Sequence, residues 1–415
     1  MENSIQMGIG FVTGRPNVCE LINHYYQHMV EQLKHFSKPV QLTLFILFDL
    51  DYQHTKEEEF YRLDPEVRKA VKIHYITKQE IETEKHRILH QGILTKDQVN
   101  LFFGYGHAKG RNTLMYFAKK QKMDYLLFWD DDEYPMACVK EEGKLIWKKQ
   151  DNIRRHIEQM EDTHISIGYH CGYISPIPYL PLEEEDKRNI FCQYIKAVSN
   201  EVVDWDSLYQ LFHQNKGITY ADTQIAGGEG THEIIEKPKW VVGSTLCLNL
   251  RKIEDIPAFY NPPEARGEDA FFSLGLTNCV VTKTSVYHFH DGFLRYPHIM
   301  QEKYPISLSA IQSGEKKIEE RFYRASAGWL KYKPLLLYVQ NSSTYREKIN
   351  IVKQQLTYSL ASFSTIFRHQ DFSPLSQILD QYDGQVEQHY QEYQETNQIW
   401  NKLKNNEEED LKNKF

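Results

Sequence analysis

The chain of 415 residues lacks the sequence features of several large protein classes. Its six cysteines include no Cys-x-x-Cys pair, so zinc-ribbon and thioredoxin-type motifs have no support. No apolar run reaches the roughly 18 residues that span a bilayer. The N-terminus has no basic segment followed by an apolar core of the secretory kind. We therefore expect reduced thiols and a cytoplasmic location.

Positive charge is also scarce. Lys and Arg number 49 against 57 Asp and Glu, which gives a formal net charge of −8. A chain with this balance offers no general basic surface for nucleic acid or anionic lipid. Nucleic acid is therefore not a predicted partner, and any membrane contact is expected to be peripheral.

Apolar runs and helical spacing alternate along the first part of the chain. Apolar strands at 5–12, 41–48 and 124–129 are separated by helices at 18–35 and 108–121. Further strands are predicted at 70–76, within 240–250 and at 280–288. Further helices are predicted at 78–90, 151–162, 187–214 (in two pieces) and 269–275. This alternation predicts an α/β fold with a mostly parallel sheet. Ligands of such sheets bind at the carboxyl ends of the strands.

The composition changes from about residue 315 onward. Glycine nearly vanishes, and helical spacing predicts long helices at 343–368 and 374–404. We place a boundary between residues 300 and 315. The region 301–415 is predicted to be a helical module for packing, self-association or ligand docking.

The strand Tyr125–Trp129 ends in four acidic residues, Asp130-Asp131-Asp132-Glu133. Carboxylates this close repel one another unless a cation lies among them. Hard divalent cations prefer oxygen ligands, so the cluster predicts a metal site. A solvated acidic turn is the alternative, and the cluster alone does not decide between them.

Four further features follow one another along the chain. They are Asp49 at the end of the second strand (with Asp51 as the competing position), the segment 106–112 before the acidic strand, the segment 266–269 before a short helix, and the pair His288 and His290. Each lies at or near a predicted strand or helix end. We expect the fold to bring them to one edge of the sheet.

In order and spacing these features resemble the GT-A-fold glycosyltransferases that use nucleotide-diphospho sugars, in particular the group related to bacterial inverting polysaccharide synthases. The resemblance covers about residues 5–295. The glycine-led segment of that family ends at Arg111-Asn112 here, its D-x-D motif maps to Asp130 and Asp132, and its Glu-Asp pair maps to Glu268-Asp269. It implies a GT-A domain over 1–300, with a nucleotide-sugar half of about 1–135 and an acceptor half of about 136–300.

The resemblance also implies roles for these residues. Asp269 would be the catalytic base, because an acceptor hydroxyl needs a carboxylate within hydrogen-bond reach. Asp132 would bind Mn²⁺ or Mg²⁺ together with His288 or His290, and an imidazole ligand favours Mn²⁺. The predicted nucleotide-sugar ligands are Thr13, Arg15, Asp49, Arg111, Asp130 and Asp131, and the predicted acceptor or supporting residues are Glu268 and Trp240.

The implied activity is metal-dependent, inverting transfer of one sugar from a nucleotide-diphospho sugar, with a UDP-sugar favoured. The acceptor would be a hydroxyl of a glycan, a glycolipid or a cell-surface polysaccharide precursor. No Gln/Arg-x-x-Arg-Trp motif follows Asp269, which favours single transfer over processive synthesis. A homo-oligomer formed through the C-terminal helices is a further expectation.

Two alternatives stay open. A sugar-phosphate nucleotidyltransferase would need a glycine-rich basic loop after the first strand, and Thr13-Gly14-Arg15-Pro16 is a poor version of one. A non-catalytic carbohydrate-binding protein on the same fold would not need the acidic residues at 130, 132 and 269. An Asp-nucleophile phosphatase is disfavoured, because Asp130-Asp131-Asp132-Glu133-Tyr134 does not match its motif.

Overall fold

The structure is a computed structural model that describes residues 4–200, 203–229, 233–236 and 239–412, with side chains as far as residue 406. The strands are β1 (Ile5–Thr13), β2 (Val40–Phe48), β3 (Lys72–Ile76), β4 (Tyr125–Phe128), β5 (Glu133–Tyr134), β6 (Met136–Glu141), β7 (Lys144–Lys149), β8 (Ile165–Gly172), β9 (Glu233–Ile234), β10 (Leu246–Asn249) and β11 (Val281–His290). The α-helices are α1 (Asn17–Leu33), α2 (Pro65–Ala70), α3 (Lys78–His90), α4 (Lys96–Phe102), α5 (His107–Lys120), α6 (Asn152–Glu158), α7 (Glu185–Val198), α8 (Trp205–Asn215), α9 (Thr223–Ala226), α10 (Glu268–Leu274), α11 (Lys316–Gln340), α12 (Tyr345–Leu360), α13 (Leu375–Gly384) and α14 (Val386–Lys412).

One large sheet runs through the described chain in the order β3-β2-β1-β4-β10-β8-β11-β5, and β9 pairs with β11. The neighbours β3, β2, β1 and β4 are parallel, as are β8 and β11, while β10 is antiparallel between β4 and β8. Helices flank this sheet, and helices follow it from Lys316 onward. The predicted fold class, an α/β domain with a mostly parallel sheet followed by a helical region, is confirmed.

The central strands are apolar along their whole length because both of their faces are covered. Residues 44–48 of β2 are each no more than 2 % exposed. Continuous apolar runs of this kind are typical of parallel strands between two helical layers. Because β1, β2 and β4 run in parallel, Thr13 at the end of β1 lies at the same edge of the sheet as Asp49 and Asp130, which follow β2 and β4. That edge carries the candidate site.

Some elements differ from the sequence-based expectation. The hairpin of β6 and β7 was not predicted, and its turn has positive φ at both Glu142 (48°) and Gly143 (79°). Two consecutive positive φ values are the geometry of a type I′ hairpin turn. The predicted helix 374–404 is interrupted at Gly384, where α13 ends, because glycine is a poor helix former.

The C-terminal helices share hydrophobic cores with the preceding 300 residues. Buried side chains of α11, α12 and α13 lie in one cluster with those of α7, α8 and α10. Trp400 of α14 stacks on Phe102 of α4, with ring centroids 5.7 Å apart. The predicted division into domains stays a prediction, but the helical region packs against helices of both the first 135 residues (α4) and residues 136–300 (α7, α8 and α10).

All six cysteines are free thiols in this structure. Five of them are buried and Cys192 is half-buried. Burial raises the pKa of the Cys279 thiol to about 11, so this group is a weakly reactive thiol at neutral pH. No helix in the part of the chain that the structure describes is long and apolar enough to cross a membrane.

Candidate active site

A cavity of about 610 Å³ opens at the carboxyl edge of the parallel strands. One side of its wall comes from the turn after β1, the ends of β2 and β4, the start of α5 and the loop before α10. The other side comes from residues 174–176, α8 and two aromatic side chains of α11, Trp329 and Tyr332. The cavity therefore lies between the sheet edge and the C-terminal helices.

The structure brings most of the predicted site residues to this cavity. Those in its wall are Thr13, Arg15, Asp49, Arg111, Asp130, Asp131, Glu268 and Asp269. Asp132, Trp240, His288 and His290 are not in the wall. The predicted nucleotide-sugar residues and the predicted base thus share one cavity.

Arg111 is the buried cation of the site. Its guanidinium donates to the carbonyl of Gly243 and lies 3.8 Å from carboxylate oxygens of both Asp130 and Glu268. Burial by itself would lower the pKa of Arg111, but the charges of Asp269, Asp130 and Glu268 raise it overall. Its guanidinium carbon lies over the ring of Phe128, 5.2 Å from the ring centroid. The helix-opening Arg-Asn segment therefore holds the acidic groups together.

Asp269 is poised to take up a proton. One of its carboxylate oxygens, Oδ2, accepts from the backbone N–H of Gly243 at 2.9 Å. The other oxygen has no hydrogen-bond partner among the described residues. Burial, and then the charge of Glu268, raise the pKa of Asp269 to about 7. A buried carboxyl with one uncommitted oxygen and a pKa near neutrality is suited to general-base work.

Asp130 and Asp131 have different surroundings. Asp130 keeps 42 % of its side chain exposed, toward the cavity that it lines, and burial of the rest together with the Glu133 charge raises its pKa to about 6. Asp131 is buried and accepts from the Thr13 hydroxyl. It also forms an ion pair with Arg15, yet burial still raises its pKa to about 7. Of these two carboxylates in the cavity wall, Asp130 is thus the more exposed.

Arg15 lies where the predicted metal ion was expected to act. Its Nη2 contacts Asp131 and lies 3.1 Å from Oδ2 of Asp132. Residues 4–406, as far as their side chains are described, contain no group of three or more His, Cys, Asp or Glu that could hold a metal ion. In this arrangement the guanidinium of Arg15 offsets part of the negative charge of the acidic cluster. We derive no step of the reaction through a metal.

His288 does not fit its predicted role as a metal ligand. It is fully buried, and its Nδ1 lies 3.1 Å from Glu133 while its Nε2 lies 3.0 Å from the amide of Asn152. Both ring nitrogens are therefore engaged inside the protein. The physical reason is the position of Asn152 on α6, which covers this part of β11.

His290 lies at the last position of β11 and is half-buried. The imidazole of His290 and the guanidinium of Arg321 both lie close to Gly292. From the position that a Cβ atom on Gly292 would take, Cε1 of His290 is 2.7 Å away and Nη2 of Arg321 is 2.9 Å away. A guanidinium beside the imidazole disfavours a cation at this position. His290 is therefore the remaining imidazole candidate, but with a positive neighbour.

Asp49 and Trp240 were both predicted to contact substrate. Asp49 lines the cavity, and its carboxylate accepts from the backbone N–H of Asp51 at 3.1 Å, so it also shapes the turn. Asp51 is absent from the cavity wall. Trp240 is half-buried and packs against the core that contains the C-terminal helices.

Several wall residues were not predicted as site residues. Tyr52 is 67 % exposed and lines the cavity three residues after Asp49. His107 lies 3.7 Å from Oε1 of Glu268. Ser244 contacts His170, which pairs with Glu133. His107 lies in the glycine-led segment 106–112, which the sequence indicated as part of the site. No periodicity or motif indicates Tyr52 or Ser244 as site residues.

Helix α11 supports the loop that immediately precedes Glu268 and Asp269. Gly267 has a φ of 97°, and a Cβ atom added there would lie 2.6 Å from the ring of Tyr332. One turn earlier on α11, the carbonyl of Gly328 accepts from the backbone N–H of Arg266 at 3.3 Å. The candidate base therefore follows a backbone segment that rests against the C-terminal helices.

This contact yields a prediction for Gly267→Ala. The added methyl group meets both an unfavourable φ and the Tyr332 ring, so we expect a loss of stability above the roughly 1–2 kcal/mol of φ strain alone, and a rate roughly 10²-fold lower. Gly314→Ala is the matched control, because Gly314 has a φ of 106° with no atom within 4 Å of an added Cβ. Urea unfolding and turnover measure both effects. Equal losses of stability and rate in the two variants would contradict a role for the Tyr332 contact.

Comparisons with known proteins complete the description of the site. No family model matches the chain, and no curated protein sequence matches it. Among solved structures, S. aureus TarS (residues 1–349) has 10% identity and a TM-score of 0.34, over 94% of this chain and 91% of that chain. Mouse xyloside xylosyltransferase 1, apo form, has 11% identity and a TM-score of 0.24, over 60% of this chain and 69% of that chain. The function proposed below rests on the geometry of the site itself.

Proposed function

We propose that the chain is a glycosyltransferase that moves a single sugar from a nucleotide-diphospho sugar to a hydroxyl acceptor. One observation carries the proposal. Asp269, with a pKa of about 7 and one oxygen without a partner among the described residues, shares a cavity with Asp130 and the buried Arg111 at the carboxyl edge of parallel strands. Such edges are where nucleotide ligands bind in open α/β sheets.

The nucleotide would lie along the ends of β1 and β2. Asp49 offers a carboxylate acceptor for the N–H groups of a base, and the exposed ring of Tyr52 offers a face for stacking. Asp130, whose side chain is open to the cavity, would accept hydrogen bonds from ribose or sugar hydroxyls. These roles suit a nucleotide donor, and we propose a UDP-sugar.

Transfer requires one proton to leave the acceptor. Asp269 would accept the hydroxyl proton while the acceptor oxygen bonds to the anomeric carbon. The bond from that carbon to the diphosphate oxygen breaks, and its electron pair stays on the diphosphate. Attack assisted by a single base on the face opposite the leaving group would invert the anomeric centre.

The acceptor and the finer properties stay proposals. We propose a hydroxyl of a glycan, a glycolipid or a cell-surface polysaccharide precursor as the acceptor. The expected requirement for Mn²⁺ or Mg²⁺ remains a prediction, as do peripheral membrane contact, self-association and a cytoplasmic location.

The deciding experiment is release of free nucleotide from a panel of UDP-, GDP- and ADP-sugars, with Mn²⁺ and with a chelator. We expect slow hydrolysis of one donor and release of its nucleoside diphosphate. Release of inorganic pyrophosphate from a nucleoside triphosphate and a sugar phosphate would instead identify a nucleotidyltransferase. Absence of turnover and of binding with every donor would contradict both activities.

The pH dependence gives an independent prediction. A base must be deprotonated to act, so kcat/KM is expected to rise with pH until it levels off above about 7, the pKa of Asp269. Asp131 also has a pKa of about 7, and Asp131→Asn is therefore the control. The rise should persist in Asp131→Asn. A rate that falls through this pH range would show that a protonated group is required instead.

A further inference from the structure

Three arginines from separate parts of the chain lie near one another, and Arg15 and Arg321 also lie near Asp132. Arg15 lies in the turn after β1, Arg266 in the loop before α10, and Arg321 in the first half of α11. Arg15 and Arg266 are in the cavity wall. The positions predicted for metal ligands, Asp132 and His290, each have one of these guanidinium groups as a neighbour.

Arg321 is held at the end of β11 by a defined contact. Its Nη1 donates to the carbonyl of Gly292, and its guanidinium carbon lies 4.2 Å from the centroid of the Phe293 ring. The backbone N–H of Asp291 donates to the carbonyl of Asp132 at 3.0 Å. The segment that binds Arg321 is therefore joined directly to the acidic cluster.

Arg15 and Arg266 approach the same place from the cavity side. The Nη2 of Arg15 is engaged by Asp131 and Asp132, which leaves other donors of its guanidinium for a ligand. Arg266 is exposed and lines the cavity. Burial lowers the pKa of Arg321, and the positive charges of Arg266 and Arg15 lower it further. The negative charge of Asp132 raises this pKa but compensates only in part.

Guanidinium groups that repel one another gain most from a shared anion. An oxygen-rich dianion can accept from several of them at once, and the planar donor fork of arginine matches phosphate oxygens. The diphosphate of a nucleotide sugar is such an anion. It gains further negative charge when the sugar bond breaks, so positive groups that are fixed in place stabilise the transition state more than the ground state.

We propose that Arg321, together with Arg15 and Arg266, binds the diphosphate of the donor, so that helix α11 supplies part of the donor site. The inference rests on the proposed function. It assigns to the C-terminal region a direct contact with substrate rather than packing alone. A purely structural role, in which Arg321 only fastens α11 to Gly292, is the alternative that an experiment must exclude.

The test measures binding of UDP, GDP and ADP, each beside its nucleoside, by calorimetry in buffer with a chelator and again with Mn²⁺. Arg321→Gln removes the charge but keeps an N–H donor for the Gly292 carbonyl. We expect it to weaken binding of the preferred diphosphate by about 10- to 100-fold, the effect of losing a hydrogen bond to a charged group. Nucleoside affinity should stay within about twofold. Arg324→Gln, an exposed arginine on the same helix, is the matched control and should change neither affinity.

Each other outcome overturns the inference in a distinguishable way. Equal diphosphate affinity in Arg321→Gln and in the unsubstituted protein would refute the inference and leave the proposed function intact. An equal loss of diphosphate and nucleoside affinity would show a structural role. If the unsubstituted protein binds no nucleoside diphosphate in either buffer, the proposed function fails as well.

Discussion

Asp269→Asn is expected to lower the rate of sugar transfer by about 10²- to 10⁴-fold, the usual contribution of a positioned general base. Asparagine has the same shape and can still accept from the Gly243 N–H, so the loop should keep its conformation. Donor binding should therefore change little. Transfer to the acceptor and donor affinity are measured separately, by product formation and by calorimetry.

The control for this variant is Asp162→Asn, because Asp162 is exposed and lies outside the cavity wall. It should leave both quantities unchanged. If Asp269→Asn transfers sugar at the original rate, another group takes the proton and the proposed mechanism is wrong. If donor binding is lost together with transfer, Asp269 positions the donor instead.

Arg111→Met is expected to lower the free energy of unfolding by about 3–5 kcal/mol, the cost of removing one partner from a buried set of charges. The side chain of Arg111 is 8 % exposed and offsets the charges of Asp130, Glu268 and Asp269. Methionine fills a similar volume between the rings of Phe128 and Phe259, so lost packing contributes little. Urea unfolding with an unchanged m-value measures the effect.

Arg251→Met is the matched control. Arg251 is also paired with an aspartate, Asp124, and also lies over an aromatic ring, that of Tyr125, but its side chain is 52 % exposed. An exposed pair contributes at most about 1 kcal/mol. Equal losses in the two variants would contradict the view that Arg111 is the central cation of the site. A loss for Arg111→Met that grows as the pH falls would also contradict it, because protonation of the carboxylates should relieve the penalty.

The parts of this molecule that were predictable from sequence are those with a local signal. The strands β1, β2 and β4 are apolar runs, and the parallel arrangement places the residues that follow them at one edge. Asp130 and Asp49 could be assigned to that edge for this reason. Asp269 could be assigned to a helix start because Gly267 precedes an acidic first turn.

The unpredicted parts depend on contacts between distant residues. Arg15 and Asp132 are 117 positions apart, and nothing in either segment indicates that they meet. His288 and His290 share one face of a strand, so alternation could not separate the covered imidazole from the half-buried one. Their difference comes from Asn152 on α6, which lies beside His288. The contact of Tyr332 with Gly267 likewise joins two regions that were predicted to be separate.

The stacking of Trp400 on Phe102 has a consequence for how the chain acquires its structure. Trp400 and Phe102 are nearly 300 positions apart, and the neighbouring bond between Gln98 and Glu395 spans 297. The face of α4 that contacts α14 can therefore be covered only after α14 has been synthesised. Until then this part of the core is exposed, the condition in which nascent proteins aggregate or bind chaperones. Packing around α4 is completed by the most distant helix, in addition to its sequence neighbours α3 and α5.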